Sequence, residues 1–457
     1  MILRDFRAVM WMKKYLRYTD YIAAASLYLK ENALLRKELK IEHFKQRILG
    51  HWGTVPGLNF INANLNYLVY KHKCNMMMIT GPGHGAPATL ANLLAEDTIK
   101  EFYPAYTRDE KGTTKLIHDF SWPHSPFPSH VTPSVPGSLL EGGELGYSLS
   151  TAFGTVLDNP DLITAVVVGD GEAESGPLAA AWHSNKFLNP RTSGAVLPIV
   201  HINGFKISNP TIYASMSNKE LTMLFKGMGY EPLIVEGKNI YRKMIRAVEY
   251  AYQKIRKIQA LARSPKKPEI QPIWPVILMR TTKGWTGPKM FEGHHIEGSF
   301  RSHGIPFDNP QKHPHEFEVI KKWLSSYHIH DLVDERGRPK PNVLTFVPTG
   351  THRIGMNRHA VGGNFYKKLK LPSLEKHEIK FKKRAGEKAS SMITTGKVFR
   401  DIIRLNPKNF RIFCPDELES NLLHNVFEAT TRGYVWPIVK NSEDVAYDGR
   451  VYEMLSE

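Results

Sequence analysis

Cysteine is nearly absent from this chain. Cys74 and Cys414 are its only two among 457 residues, and they stand far apart. Neither a disulfide framework nor a cysteine-based metal site is implied, and a reducing cytoplasm fits. Long apolar runs are missing as well. None approaches the roughly 20 residues of a membrane-spanning helix, so no membrane partner is expected. The start, MILRDFRAVMWMKKYLRYTDY, is basic and amphipathic. It lacks the serine enrichment of a transit peptide and the apolar core and cleavage site of a signal peptide, so it reads as a first amphipathic helix. Acidic residues are in short supply, with 44 Asp and Glu against 61 Lys and Arg and a net charge of +17. Such a surplus attracts phosphates and other anions. Much of it crowds one stretch, with Lys367, Lys368, Lys370, Lys376, Lys380, Lys382, Lys383, Arg384 and Lys388. No RRM, KH, zinc-finger or helix-turn-helix signature accompanies these charges. The stretch reads as a solvated linker rather than a nucleic-acid tail.

What is present is ordinary for a globular protein: 42% hydrophobic and 23% charged residues, enough for a sizeable core. The length suggests two to three domains, or one large α/β domain with additions. Residues 16–37 have helical spacing. Residues 50–150 are rich in Gly, Pro and His and read as loops between short helices and strands. A clear rhythm follows. LITAVVVG (162–169), AVLPIVHIN (195–203), EPLIVEG (231–237) and PIWPVILMRTTKG (272–284) are strand-like. PLAAAWHSNKFL (177–188) and the long segment 239–263 between them are helical. Buried strands alternating with helices predict an α/β fold, a parallel sheet flanked by helices. From about 330 the chain turns basic and irregular. A helix restarts at 389–406, and NFRIFCPDELESN (409–421) opens with a strand, the start of a second α/β domain. The predicted division is 1–330, a linker 331–388, and 389–457.

The segment GDGEAESGPLAAAWHSNKFLNPRTSGAVLPIVHINGFKIS (169–208) carries the most chemistry. Asp170 follows one predicted strand and Asn203 ends the next. In a parallel sheet both emerge at the carboxyl edge, where α/β sheets bind ligands. A carboxylate oxygen and an amide oxygen suit Mg2+, which keeps positions for phosphate oxygens. Gly169 and Gly171 let the backbone approach a ligand closely. The helix starting near Pro177 is expected to aim amide groups at the same place. GDG, a helix, a second strand and a closing Asn together predict a magnesium–diphosphate site, with residues 1–330 as its domain. His51, His84, His130 and His303 each lie in a Gly- or Pro-rich loop. Singly, each reads more readily as a loop-stabilising residue, although histidine suits proton transfer and hydroxyl binding near neutral pH. The close pairs in HPH (313–315) and HIH (328–330) lack the partners of a zinc site.

The metal motif resembles that of thiamine-diphosphate enzymes. EGGELGYSLSTAFG (141–154), GHWGTVPGLNF (50–60), TGPGHGAP (80–87), KGWTGPK (283–289) and FRSHGIP (300–306) narrow the resemblance to the phosphoketolases, over residues 16 to 457. Transketolase is the nearest enzyme alternative, but EGGELGY and HWGTVPG look like phosphoketolase. The resemblance implies the thiamine-diphosphate-binding fold, with thiamine diphosphate and Mg2+ as cofactors. It implies a carbon–carbon lyase that cleaves xylulose 5-phosphate or fructose 6-phosphate with inorganic phosphate to acetyl phosphate and an aldose phosphate. By resemblance, Asp170, Asn203 and Phe205 hold the metal, and His51, His84 and His303 contact the reacting sugar. His130, Gly143, Gly169, Asp170, Gly171 and Asn203 lie at the cofactor. Gly143 reads alternatively as a tight turn. Glu141 and Glu144 read as structural more readily than as catalytic, and Lys283 either meets a phosphate or is a surface lysine.

Phosphoketolases extend beyond the point where this sequence stops. In them the cofactor lies between two domains, usually from different subunits of a homodimer. Cys414 stands where the family usually has Gly. Glu457, the last residue, matches the glutamate that activates the cofactor through its pyrimidine ring. The corresponding expectation is a C-terminally truncated chain with an incomplete pyrimidine-binding domain. The alternative to an active enzyme is therefore an inactive or split-gene fragment that needs the missing half as a partner.

Overall fold

Five apolar runs form five strands: β1 (Met76–Thr80), β2 (Ile163–Gly169), β3 (Ala195–Ile202), β4 (Tyr230–Val235) and β5 (Trp274–Arg280). They make one parallel sheet in the order β1-β2-β3-β5-β4. The central β2 and β3 are buried along their whole length, as strands covered on both faces must be. The computed structural model describes residues 2–265, 271–360, 367–382 and 385–455. Lys383, Arg384 and Glu457 lie outside them.

Helices cover the sheet. α1 (Ile2–Tyr28), α2 (Val55–His72) and α3 (Ala86–Ala95) pack against one another. α4 (Ser148–Val156) lies across β2 and β3, and α5 (Ile240–Ala262) packs on β4 and β5. Three helical segments differ from expectation. α1 includes the amphipathic start but stops at Tyr28, not 37. There the chain turns extended, and Leu29 bridges to Phe44 in antiparallel fashion. α2 occupies a stretch that reads as loop-rich. Its four asparagines, Asn59, Asn62, Asn64 and Asn66, are buried rather than solvated, which hides the helical period from a hydropathy reading. The segment 177–188 is also divided, into an α-helix Gly176–Ala181 and a 3-10 turn Trp182–Lys186. Tertiary contacts explain the break: Trp182 packs edge-on against Phe225 and Tyr230, and Asn185 and Lys186 both donate to the carbonyl of Met228.

Beyond the sheet, Val343, Phe346 and Ile354 pack into the same core. The basic stretch 367–382 is mostly exposed. α6 (Ser391–Leu405) then leads into a second parallel sheet of β6 (Ile412–Cys414), β7 (Arg432–Gly433), β8 (Val445–Ala446) and β9 (Val451–Glu453), in the order β8-β7-β9-β6. Its small core holds Ile403, Leu418, Val426 and Val451. Asp158, after α4, clamps this unit to the first. Its carboxylate accepts from Arg411 at 2.7 Å and from Arg450 at 2.8 and 2.9 Å. Among the described residues no helix is long and apolar enough to cross a membrane.

Candidate active site

The carboxyl ends of β1, β2, β3 and β5 open into one cleft of about 350 Å³. His51, His84, His130, Gly143, Gly169, Asp170, Gly171, Asn203, Phe205 and His303 all line it, as does Lys283. These residues span more than 250 positions of sequence, and the topology gathers them because parallel strands point their carboxyl ends the same way. Of the predicted site residues only Glu457 is not placed, since it lies outside the described residues. The helix beginning near Pro177 does not line the cleft; it is a short helix, Gly176–Ala181, whose cap residue Ser175 bonds to the carbonyl of the cleft residue Glu172.

Asp170 leaves β2 and Asn203 leaves the adjacent β3. The register pairs Gly169 with His201, so the two side chains start from neighbouring strand ends. Asp170 is 2% exposed. Its Oδ2 accepts from the Gly204 amide at 2.8 Å and the Thr211 hydroxyl at 2.9 Å, and its Oδ1 from the Gly171 amide at 3.1 Å. Burial pushes its carboxyl up, and these bonds pull it back. Gly204 has φ +107°, which a side chain would strain, and this turn delivers its amide to Asp170. Asn203 Oδ1 accepts from the Phe205 amide at 3.3 Å.

Lys283 is not a surface lysine: it is 1% exposed. Its Nζ donates to the carbonyls of Phe205 and Lys206 and lies 3.0 Å from His303 Nδ1. Burial lowers its pKa to about 8, with the charge of Asp170 opposing the fall. It therefore places a buried cation beside the Asp170 carboxylate.

The four histidines form one cluster. The His51 ring lies 5.3, 5.1 and 5.3 Å from those of His84, His130 and His303, and His84 and His303 are 4.9 Å apart. Backbone bonds stitch their loops together. Trp52 N donates to Gly304 O at 3.0 Å, Gly284 N to Gly53 O at 2.8 Å, and Val131 N to Gly83 O at 2.9 Å. The fit is tight: a Cβ on Gly83 would come within 2.1 Å of Gly142 Cα. Burial, then His130 and Lys283, lower His51 to about 4. Burial, then Lys283, His51 and His130, lower His303 to about 3. His84 is also held well below its ordinary value, chiefly by burial. At neutral pH these three rings are uncharged, each with one donor and one acceptor nitrogen. His51 Nδ1 is buried without a protein partner, as expected of an atom kept for a ligand.

Several contributors are not among the residues predicted from the sequence. Glu172 is buried two residues after Asp170. It accepts from Ser148 Oγ at 2.7 Å and the Gly146 amide at 3.2 Å, and so anchors the 143–147 loop, of which Gly146 alone is buried. Thr211 is a single hydroxyl whose sequence neighbours give no signal, while Thr54 sits inside the GHWGTVPGLNF string. Glu172 was findable, being the second acid in GDGEAE. Glu141 and Glu144 are exposed and do not line the cleft.

The donor set fits a magnesium–diphosphate group. Asp170, Asn203 and the Phe205 carbonyl are all oxygen donors, and Lys283 and the amide-rich loops suit an anion. Among the described residues no group of three or more His, Cys, Asp or Glu side chains could hold a metal alone. An ion here would take its remaining ligands from phosphate oxygens or water.

The chain is similar to known proteins. Residues 5–365 match the XFP N-terminal domain, and residues 393–457 match D-xylulose 5-phosphate/D-fructose 6-phosphate phosphoketolase. A probable phosphoketolase of Rhodopirellula baltica is 49% identical over 448 residues, 97% of this chain and 56% of that protein. One from Bradyrhizobium diazoefficiens is 46% identical over 98% of this chain and 56% of its own length. The chain thus spans a little over half the length of these relatives. Among solved structures, a Pichia stipitis transketolase mutant in complex with xylulose 5-phosphate aligns with TM-score 0.63 at 15% identity, over 98% of this chain and 61% of the other. Transketolase from Leishmania mexicana gives 0.62 at 14%, over 98% and 60%. These neighbours share the thiamine-diphosphate-binding fold. On the two family matches and the 49% identity, the chain belongs to the phosphoketolase family.

Proposed function

We propose that this chain holds thiamine diphosphate through Mg2+ in the cleft and takes part in the phosphate-dependent cleavage of a ketose phosphate. The substrate class is xylulose 5-phosphate or fructose 6-phosphate, and the products are acetyl phosphate and an aldose phosphate. One observation carries the reading: an oxygen donor pair, a buried lysine and four histidines converge on a single cleft in a phosphoketolase-family chain. Asp170, Asn203 and the Phe205 carbonyl would hold the metal, and Gly143, Gly169 and Gly171 would admit the cofactor closely. Bound thiamine diphosphate would supply the carbanion chemistry that opens a carbon–carbon bond. The chain supplies position and protons. Uncharged His51, His84 and His303 can each donate to one sugar oxygen and accept from another. Lys283 offsets anionic charge, and the His130 ring lies 5.1 Å from that of His51. An arriving anion favours the imidazolium form, so it raises these depressed histidines toward the range useful for proton transfer.

Calorimetry tests the cofactor half. Thiamine diphosphate should bind saturably with Mg2+ and lose affinity at least about tenfold in Asp170→Asn or after chelation, since a charged ligand bond is removed. Absence of binding, or unchanged affinity in Asp170→Asn, refutes the reading. The sugar half is tested by titrating fructose 6-phosphate and xylulose 5-phosphate into that complex. His51→Ala and His303→Ala should each weaken the ketose phosphate that binds, while glucose 6-phosphate should not compete.

A further inference from the structure

His201 has no place in the cleft lining, and it is nonetheless the group that joins three of the cleft's elements. It is the penultimate residue of β3, two before Asn203, and it is 1% exposed. Nothing in the packing of β3 calls for a polar ring there, for its neighbours Ile199 and Val200 are aliphatic and fully buried. Burying an imidazole costs free energy unless both nitrogens are partnered. Here both are. Nδ1 lies 3.3 Å from Thr54 Oγ1, and Nε2 lies 2.8 Å from Thr281 Oγ1. Thr54 is three residues after His51 and lines the cleft. Thr281 is two residues before Lys283. The backbone carbonyl of His201 accepts from the Asp170 amide at 3.2 Å. The first turn of α2 is shaped around the ring: a Cβ on Gly57 would lie 2.1 Å from His201 Cε1.

We infer that His201 is a positioning residue that sets the His51 loop, the Lys283 loop and the Asp170–Asn203 strand ends in register through the chain Thr54–His201–Thr281. This rests on the magnesium–diphosphate reading of the cleft. The imidazole acts only through its neighbours. Removing its nitrogens frees Thr54 to rotate within the cleft and releases the strand end that carries Lys283.

Three variants of the full 457-residue chain test this, with Mg2+ plus inorganic pyrophosphate and Mg2+ plus thiamine diphosphate as probes. His201→Phe keeps ring volume without nitrogens. His201→Gln keeps one polar arm. Thr281→Val removes a hydroxyl outside the cleft. Loss of one or two hydrogen bonds predicts roughly three- to tenfold weaker binding in His201→Phe and Thr281→Val. His201→Gln should recover part of it, while circular dichroism stays native. A merely structural ring would lower the melting temperature and leave affinity unchanged. Affinity like wild type in Thr281→Val and His201→Phe overturns the inference. Should His201→Phe not fold, Thr281→Val decides by the same criterion. Failure of the wild-type chain to bind either probe overturns the cleft reading and the positioning role with it. Wild-type binding with indifferent variants overturns the positioning role alone.

Discussion

Asp20→Asn should make this protein more stable at pH 8 and abolish a pH dependence that the wild type carries. Asp20 lies on α1 and is 2% exposed. Its carboxylate meets neutral donors: Asn59 Nδ2 at 2.7 Å and Thr286 Oγ1 at 3.0 Å, the latter in the turn that follows Lys283. Burial raises its pKa from 3.8 to about 7, against the smaller pull of those two bonds. At 1.36 kcal/mol per pH unit, that rise corresponds to about 4 kcal/mol. Between pH 4 and 7 the folded chain keeps a proton that the unfolded chain has released. The stabilisation is therefore complete below about pH 4 and lost as the pH rises through about 7. Asparagine is uncharged throughout. Its oxygen can still accept from Asn59. Its amide can donate to Thr286, whose hydroxyl can turn toward Tyr327 Oη, 3.2 Å away. Urea denaturation midpoints and melting temperatures of both chains from pH 4 to 8 provide the assay. The variant should gain up to about 4 kcal/mol over wild type at pH 8, with the advantage shrinking toward pH 4. Glu96, raised to about 7 chiefly by burial, is common to both chains and cancels. A pH-independent difference, or a variant less stable at pH 8, would refute the argument.

Lys283→Met removes the buried cation beside Asp170 and should weaken Mg2+–pyrophosphate binding about tenfold or more while flattening its salt dependence, read by calorimetry at two ionic strengths. His51, at about 4 in the free protein, should titrate at higher pH once pyrophosphate is bound, because an anion stabilises its imidazolium; histidine NMR follows this, and a value that stays put or falls contradicts it. Asp158→Ala strands Arg411 and Arg450, whose side chains are 9% and 10% exposed, and should cost about 3–5 kcal/mol. Hydrogen exchange should locate that loss in β6 and β9, and uniform protection across the second sheet would argue against the clamp.

The four strands from 163 to 280 were readable because continuous apolar runs bounded by turn residues have few other stable arrangements. Asp170 and Asn203 were readable because a strand end in a parallel sheet fixes where a side chain emerges. α2 was not, because Asn59, Asn62 and Asn66 look solvated in sequence. Each finds a buried partner only in the fold: Asp20, Asn92 and one another. His201 was silent for the same reason, since its partners lie 80 and 147 positions away.

The amino-acid order alone thus determined the parallel α/β class, the oxygen donor pair and the loops that carry the histidines. These are local facts, set by hydrophobic period and turn chemistry. Tertiary structure decided that four histidine loops meet within about 5 Å of His51, that Lys283 is buried beside Asp170 rather than solvated, and that Asp158 joins the two sheets. Charge state and proximity depend on desolvation and on contacts between distant segments, and neither exists until the chain has closed around them.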